Sequence, residues 1–476
     1  MTRSSIAATL AAGLGLLSVC TFPAVAAESS SPLTAESVRT LRESAAPGWR
    51  REALKRLEVH GRDPQHTNAA PQVLAALAQE AVRVVGTPEL FPEAWTPSPG
   101  SVSGIFDLTT GRALELNPAG SLSVRDLASG AIQETRPARS TPDHLVVRFE
   151  PISGWLALID REGHWSFRCL GKEHPEVTWD SPSQSIPAWI SFHPELQRIA
   201  TPDPSASNPG VRLSPLPPRG LEGIRRIPLP SAPHRLEFSP SGTRLAALCS
   251  NQPALWVIQP SLEQVQEQVQ LPGVPIDFSW MPDARRVVVA SPQGIWIVDA
   301  QEGSVRPFAA EVHDVAAIAL NESGTLLAVG LASGRIELWD FKAARRIAGR
   351  QAAGGTIHRL QWDAKATQLS VTAAGEAMPR LTGVSISRDI VHFLAQSETR
   401  LPEQPNAALR RNGNRVWVRV DPKSTQEIEL PAPVGLKSAA ISANGAWVQL
   451  RGDDDAISEW NLPRLGERLK RFGLAL

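Results

Sequence analysis

The chain has no tyrosine, so no step it carries out depends on a phenol. It has three cysteines and ten histidines, and none of them forms a Cys-x-x-Cys pair or a Cys/His cluster with zinc-ligand spacing. Net charge is missing as well: 48 Lys plus Arg stand against 48 Asp plus Glu. No overall field therefore draws the protein to nucleic acid or an anionic membrane, and a nucleic-acid partner is not expected. Beyond the first residues no stretch is long and apolar enough to span a bilayer. Signatures of chemistry are absent too: there is no G-x-S-x-G nucleophile elbow, no H-E-x-x-H metal site, no phosphate loop and no kinase catalytic loop. The sequence predicts a chain that is not an enzyme and carries no cofactor and no metal.

What is present begins with an export signal. Arg3 precedes an apolar run over residues 6–19, and Ala24-Val25-Ala26 closes it as a small-x-small end, which predicts a signal peptide over 1–26 and a periplasmic or secreted protein. Leu17-Ser18-Val19-Cys20 offers a second reading, a lipoprotein anchored at Cys20, although Val19 stands where a small residue is usual. In the mature chain Cys169 and Cys249 remain, expected as two separate buried thiols.

A large apolar residue before a turn recurs at Phe149, Phe192, Phe238, Trp280, Leu320 and Trp362, at intervals of 43, 46, 42, 40 and 42. Each copy repeats a strand, a turn such as Ser239-Pro240-Ser241-Gly242 or Met281-Pro282-Asp283-Ala284, a second strand, a Gly-containing turn and a third strand. The second strands (243–248, 285–290, 325–330) are nearly continuous apolar runs, as expected for sheets buried on both faces. A period of 40 to 45 is that of a propeller blade. The fold class expected is all-β, a propeller of seven blades or alternatively eight.

The best copy, over residues 315–341, resembles the WD40 repeat. Val315, Ile318 and Leu320 have the first-strand spacing, Asn321-Glu322-Ser323-Gly324 stands at the first turn, Ser333-Gly334 at the second, and Trp339-Asp340 closes the third strand. Ile357, Leu360 and Trp362 repeat the first-strand spacing; Val298-Asp299, Ile258-Gln259 and Trp460-Asn461 are less faithful endings. The family's Gly-His pair is missing, His313 lying too close to Val315. The resemblance therefore implies a WD40-like ring without the usual hydrogen-bonded tetrad, held mostly by packing. Gly324, Ser333, Gly334, Trp339 and Asp340 are its structural motif residues.

Around the repeats the division expected is a helical region over 27–86, a Pro-rich linker over 87–100, a propeller over 101–462 and an amphipathic C-terminal helix over 463–476. Residues 101–136 read as only part of a blade, so that the strand at 122–137 is expected to complete the sheet begun near Ile441 and Trp460. Leu41-Arg42-Glu43-Ser44, Pro47-Gly48-Trp49-Arg50 and the basic tail are similar to segments flanking WD40 arrays in bacterial proteins. Three features invite a site. Asp453-Asp454-Asp455 suits a cation or an acidic turn, Arg451-Gly452-Asp453 spells an adhesion tripeptide that fits a turn, and His234 and His358 each lie four residues before an anchor, at the channel mouth. The function expected is an exported, non-enzymatic, monomeric ring that binds a protein or peptide partner; the alternative is an enzyme, ligand-binding or sensor propeller using the channel.

Overall fold

The computed structural model describes residues 33–474 apart from 45, 47, 63–68, 94, 100, 102, 109, 118, 120, 137–144, 151–154, 160–164, 170–176, 180–189, 194–197, 204–207, 216–222, 310–311, 377, 388–390, 395–407, 422–424, 434 and 453–456. Residues 1–26, read as an export signal, with Cys20, and the Asp453–Asp455 triplet lie outside the described residues.

Seven antiparallel sheets of four strands follow one another around a ring, as a β-propeller of seven blades. Blades one to six are continuous in sequence, at residues 103–136, 145–179, 191–228, 233–270, 277–309 and 315–351. The anchors mark the same position in each: Phe149 stands opposite Leu156, Phe192 opposite Ile199, Phe238 opposite Leu245, Trp280 opposite Val287, Leu320 opposite Leu327 and Trp362 opposite Leu369. Phe106 opposite Ala113 is a further anchor in the same register. The segment at 103–136 is thus a complete blade and not part of one.

Closure differs from the expectation. The seventh blade has only three strands of its own, over 357–385, and its outer strand is Glu89–Glu93, paired antiparallel with Arg380–Ser385. The stretch read as a Pro-rich linker is therefore the closing strand. Proline is compatible with that place because Pro92 sits on the outermost strand, where a missing N–H breaks no inner ladder. Leu122–Asp126 and Ile132–Arg136 stay within the first blade and do not reach Ile441. The first blade packs directly on the seventh through Phe106, Leu108, Ala113 and Leu381. The ring thus ends near residue 387, and not at 462.

Residues 391–474 form a separate unit beside the ring with the N-terminal helices. Val391–Leu394 follows the seventh blade in sequence, where that blade's own fourth strand would come, but pairs with Ile457–Asn461 in a sheet with Ser438–Ile441 and Trp447–Arg451. A three-stranded sheet over 409–430 lies next to it. Three helices, α1 (Ala35–Ser44), α2 (Trp49–Arg62) and α3 (Pro71–Gly86), pack with these sheets and with α4 (Leu462–Arg471) in one core that holds Leu57, Leu77, Val85, Trp460, Leu465 and Phe472. The stripe of α4 is thus buried on helices and not on the ring. Pro71 opens α3 at its first turn, and Asn461 caps α4 by accepting the Arg464 N–H at 3.1 Å. Gly86 must stay small, since a Cβ there would meet the buried indole of Trp460.

Polar contacts tie helices to ring. Glu89 of the closing strand accepts the backbone N–H groups of Gly48 and Arg50 at 2.8 and 3.0 Å. Arg50, 1% exposed, donates to the carbonyls of Val84 and Val85 and to the Ser387 hydroxyl, and also contacts Ser385. Phe91, 3% exposed, is the closing strand's apolar plug and lies against Gly383. Replacing Phe91 with Ala is expected to cost about 3 kcal/mol and to speed amide exchange at residues 380–385 before that of the other blades, measured by mass spectrometry.

Candidate functional site

The anchors do more than fill space. Where the residue before an anchor is Ser, its hydroxyl accepts the N–H of the next blade's anchor: Ser191 from Phe238 at 3.0 Å, and Ser279 from Leu320 at 3.1 Å. Where the anchor is Trp, its indole N–H donates to the carbonyl before the previous blade's anchor, Trp280 to Glu237 at 3.0 Å and Trp362 to Ala319 at 2.9 Å. Four consecutive interfaces, from the third blade to the seventh, are bridged by alternating Ser and Trp devices. These bonds add polar bracing to a ring expected to be held mostly by packing.

The inner strands carry a buried ion pair. Asp277 of the fifth blade accepts from Arg235 Nε of the fourth at 2.7 Å and from Ile318 N of the sixth at 2.9 Å, as well as from Phe278 N at 2.8 Å. Arg235 also donates to Glu237 at 2.7 Å and to the Phe278 carbonyl at 3.1 Å, with its guanidinium 4.8 Å from the Phe278 ring centre. Burial pushes the Asp277 carboxyl up, and the Arg235 charge with the three donors pulls against that rise.

Above this pair lies a cavity of about 410 Å³ to which four consecutive blades contribute. Arg235, Glu237, Asp277, Glu322, Arg359 and Gln361 are among its polar groups; Leu360 and Trp362 supply apolar wall. That volume falls within the range of small-ligand sites. Charges of both signs converge there, and Glu322 in the turn is exposed.

The residues singled out from sequence fall as follows. His234 is half-buried, with Nε2 3.3 Å from the Ile276 carbonyl, and burial holds its imidazole below the ordinary value. His358 is exposed on the seventh blade. Neither lines the cavity. Among the described residues no group of three His, Cys, Asp or Glu is placed to hold a metal. Trp339 is buried and donates to Glu337 at 3.2 Å, and Asp340 accepts the Ala343 N–H at 3.0 Å. Gly324 and Gly334 take positive φ, +67° and +80°, in their turns, and the Ser333 carbonyl accepts from the Gln351 side chain at 2.6 Å. All five lie in the turns and third strand of the sixth blade. Cys249 is a buried thiol in the fourth blade, and the strand bearing Cys169 belongs to the second. Arg235 and Asp277 were not singled out beforehand. The signal available was position: Arg235 lies three residues before Phe238 and Asp277 three before Trp280, so two opposite charges occupy one phase of neighbouring blades.

No family model matches the chain, and no curated protein matches it. Among solved structures it is similar to the β-propeller domain of Myceliophteria thermophila Cps50 (Swd1), with 13% identity, 62% of this chain and 100% of that one covered, and a TM-score of 0.48. It is similar also to Kuenenia stuttgartiensis hydrazine synthase, with 13% identity, 61% and 97% covered, and a TM-score of 0.47.

Removing Asp277 takes one of two carboxylate partners from Arg235, which keeps Glu237, and takes the acceptor from the N–H groups of Ile318 and Phe278. Asp277→Ala is expected to destabilise the protein by roughly 3 kcal/mol, read from the denaturant midpoint. The double variant with Arg235→Met is expected to recover only part of that loss, because both N–H groups still lack their acceptor.

Proposed function

We propose that the protein is an exported, non-enzymatic binding propeller that holds a protein or peptide partner over the cavity end of its channel. The observation that carries this reading is the convergence of Arg235, Glu237, Asp277, Glu322, Arg359 and Gln361 from four blades on one cavity. A rigid ring brings such side chains together at no ordering cost when a partner arrives, because the inner strands already hold them. Glu322, exposed in its turn, is an accessible rim group, whereas Arg235 and Asp277 are fixed from below. Export rests on the reading of residues 1–26.

A second reading is that the cavity takes a small polar ligand, as its size allows. The two separate cleanly. A photo-crosslinking amino acid in place of Glu322 is expected to give one discrete protein adduct in cell-envelope extracts, and the same group in place of the exposed Leu262 is expected to give none. No adduct at position 322, together with a rise in melting temperature on adding small polar metabolites, would replace the partner reading with the ligand reading.

A further inference from the structure

The fourth strand of the sixth blade, Arg345–Gln351, is the end strand of its sheet; among the described residues it pairs only with Arg335–Asp340. On its other side runs a groove of about 490 Å³, lined by Trp49, Pro88, Glu89 and Leu90 and by Ala348, Gly349, Arg350 and Gln351. Its walls are therefore the start of α2, the closing strand and a strand edge. Arg346 on that strand is held by Glu337 at 2.7 Å. Arg350 is placed differently. It is half-buried, its Nε donates to the Gln351 carbonyl at 3.2 Å, and its Nη1 is shut off from solvent with no hydrogen-bond partner. Glu89 supplies opposing charge, yet its carboxylate accepts the N–H groups of Gly48 and Arg50. Burial accordingly holds the Arg350 guanidinium below its usual value, against the pull of Glu89.

A desolvated guanidinium with an unmet donor is costly to keep, and a carboxylate meets it with planar, charge-assisted hydrogen bonds. A sheet edge offers unpaired backbone groups to an extended chain. Both features lie along one groove with Trp49 and Leu90 as apolar wall.

We propose that this groove binds an extended peptide, which adds as a strand to Arg345–Gln351 and sets a carboxylate on Arg350. The carboxylate belongs to an acidic side chain or to the peptide's C-terminus. This site lies on the outside of the ring, at the seam of the sixth and seventh blades, and is independent of the channel.

The test uses the mature chain, residues 27–476, and a fluorescein-labelled seven-residue peptide of alternating threonine and valine with a central glutamate. One companion carries glutamine at the centre and a second an amidated C-terminus. By fluorescence anisotropy, exchanging the carboxylate that binds is expected to weaken affinity about tenfold; the companion that loses affinity shows which carboxylate it is. Arg350→Gln is expected to level the three peptides, Arg350→Lys to retain part of the difference, and circular dichroism to show both variants folded. Bound peptide is expected to slow amide exchange across residues 345–351. Equal affinity of all three peptides for the unaltered protein, no binding up to about 1 mM, or unchanged exchange at 345–351 would overturn the proposal.

Discussion

Everything in this molecule depends on one strand pairing, Glu89–Glu93 against Arg380–Ser385. A propeller is a closed row of sheets, and its seventh blade reaches four strands only through a segment that precedes the first. That pairing joins the start of the ring to its end across roughly 290 residues of intervening fold, so the entropy of closing the ring is met at this seam. Phe91 fills the apolar side of the seam and Glu89 binds it to α2. The helices are consequently a buttress of the closure, and the sheets of 391–461 complete the core that holds those helices.

Inside the ring, anchor residues set both phase and bracing. A Trp at the anchor projects its indole N–H across to the preceding blade; a Ser just before the anchor reaches forward to the next. Either device satisfies a buried polar group at a blade interface, where an unmet one costs about 1–3 kcal/mol. Asp277 adds a link spanning three blades. Ser and Trp alternation explains how these four interfaces are braced, and it gives Trp280 and Trp362 a reason beyond volume.

The repeat period was legible because Phe238, Trp280, Leu320 and Trp362 recur with turn residues after them. Seven blades stand where seven or eight were expected, α2 and α3 fall within the helical region read over 27–86, and α4 lies at the C-terminal helix read from 463. Closure was not legible: Glu89-Leu90-Phe91-Pro92-Glu93 is short, contains proline and lies among further prolines, so local chemistry reads as linker while the pairing partner is far away in sequence. Phe106 was missed because residues 101–136 read as only part of a blade. The displacement of Val391–Leu394 onto Ile457–Asn461 was hidden for a related reason, since strand identity depends on which edge is already filled. At the site, His234 and His358 drew notice by lying four residues before an anchor, whereas Arg235 and Asp277, three before theirs, matter through burial and mutual geometry.

The scaffold therefore presents a channel cavity on its inner strands and a seam groove on its outer edge. Both lie where blades meet, and the seam groove shares Glu89 and Leu90 with the closing strand, so occupancy there bears on the clasp itself. The central claim is the closure, and a cysteine pair tests it most directly. Leu90 and Val384 are facing partners in the register, within the Cα separation that a disulfide accepts. Non-reducing peptide mapping of the oxidised Leu90→Cys, Val384→Cys chain is predicted to recover that intramolecular disulfide in nearly all molecules. Free thiols at both positions under the same oxidation would contradict the closure.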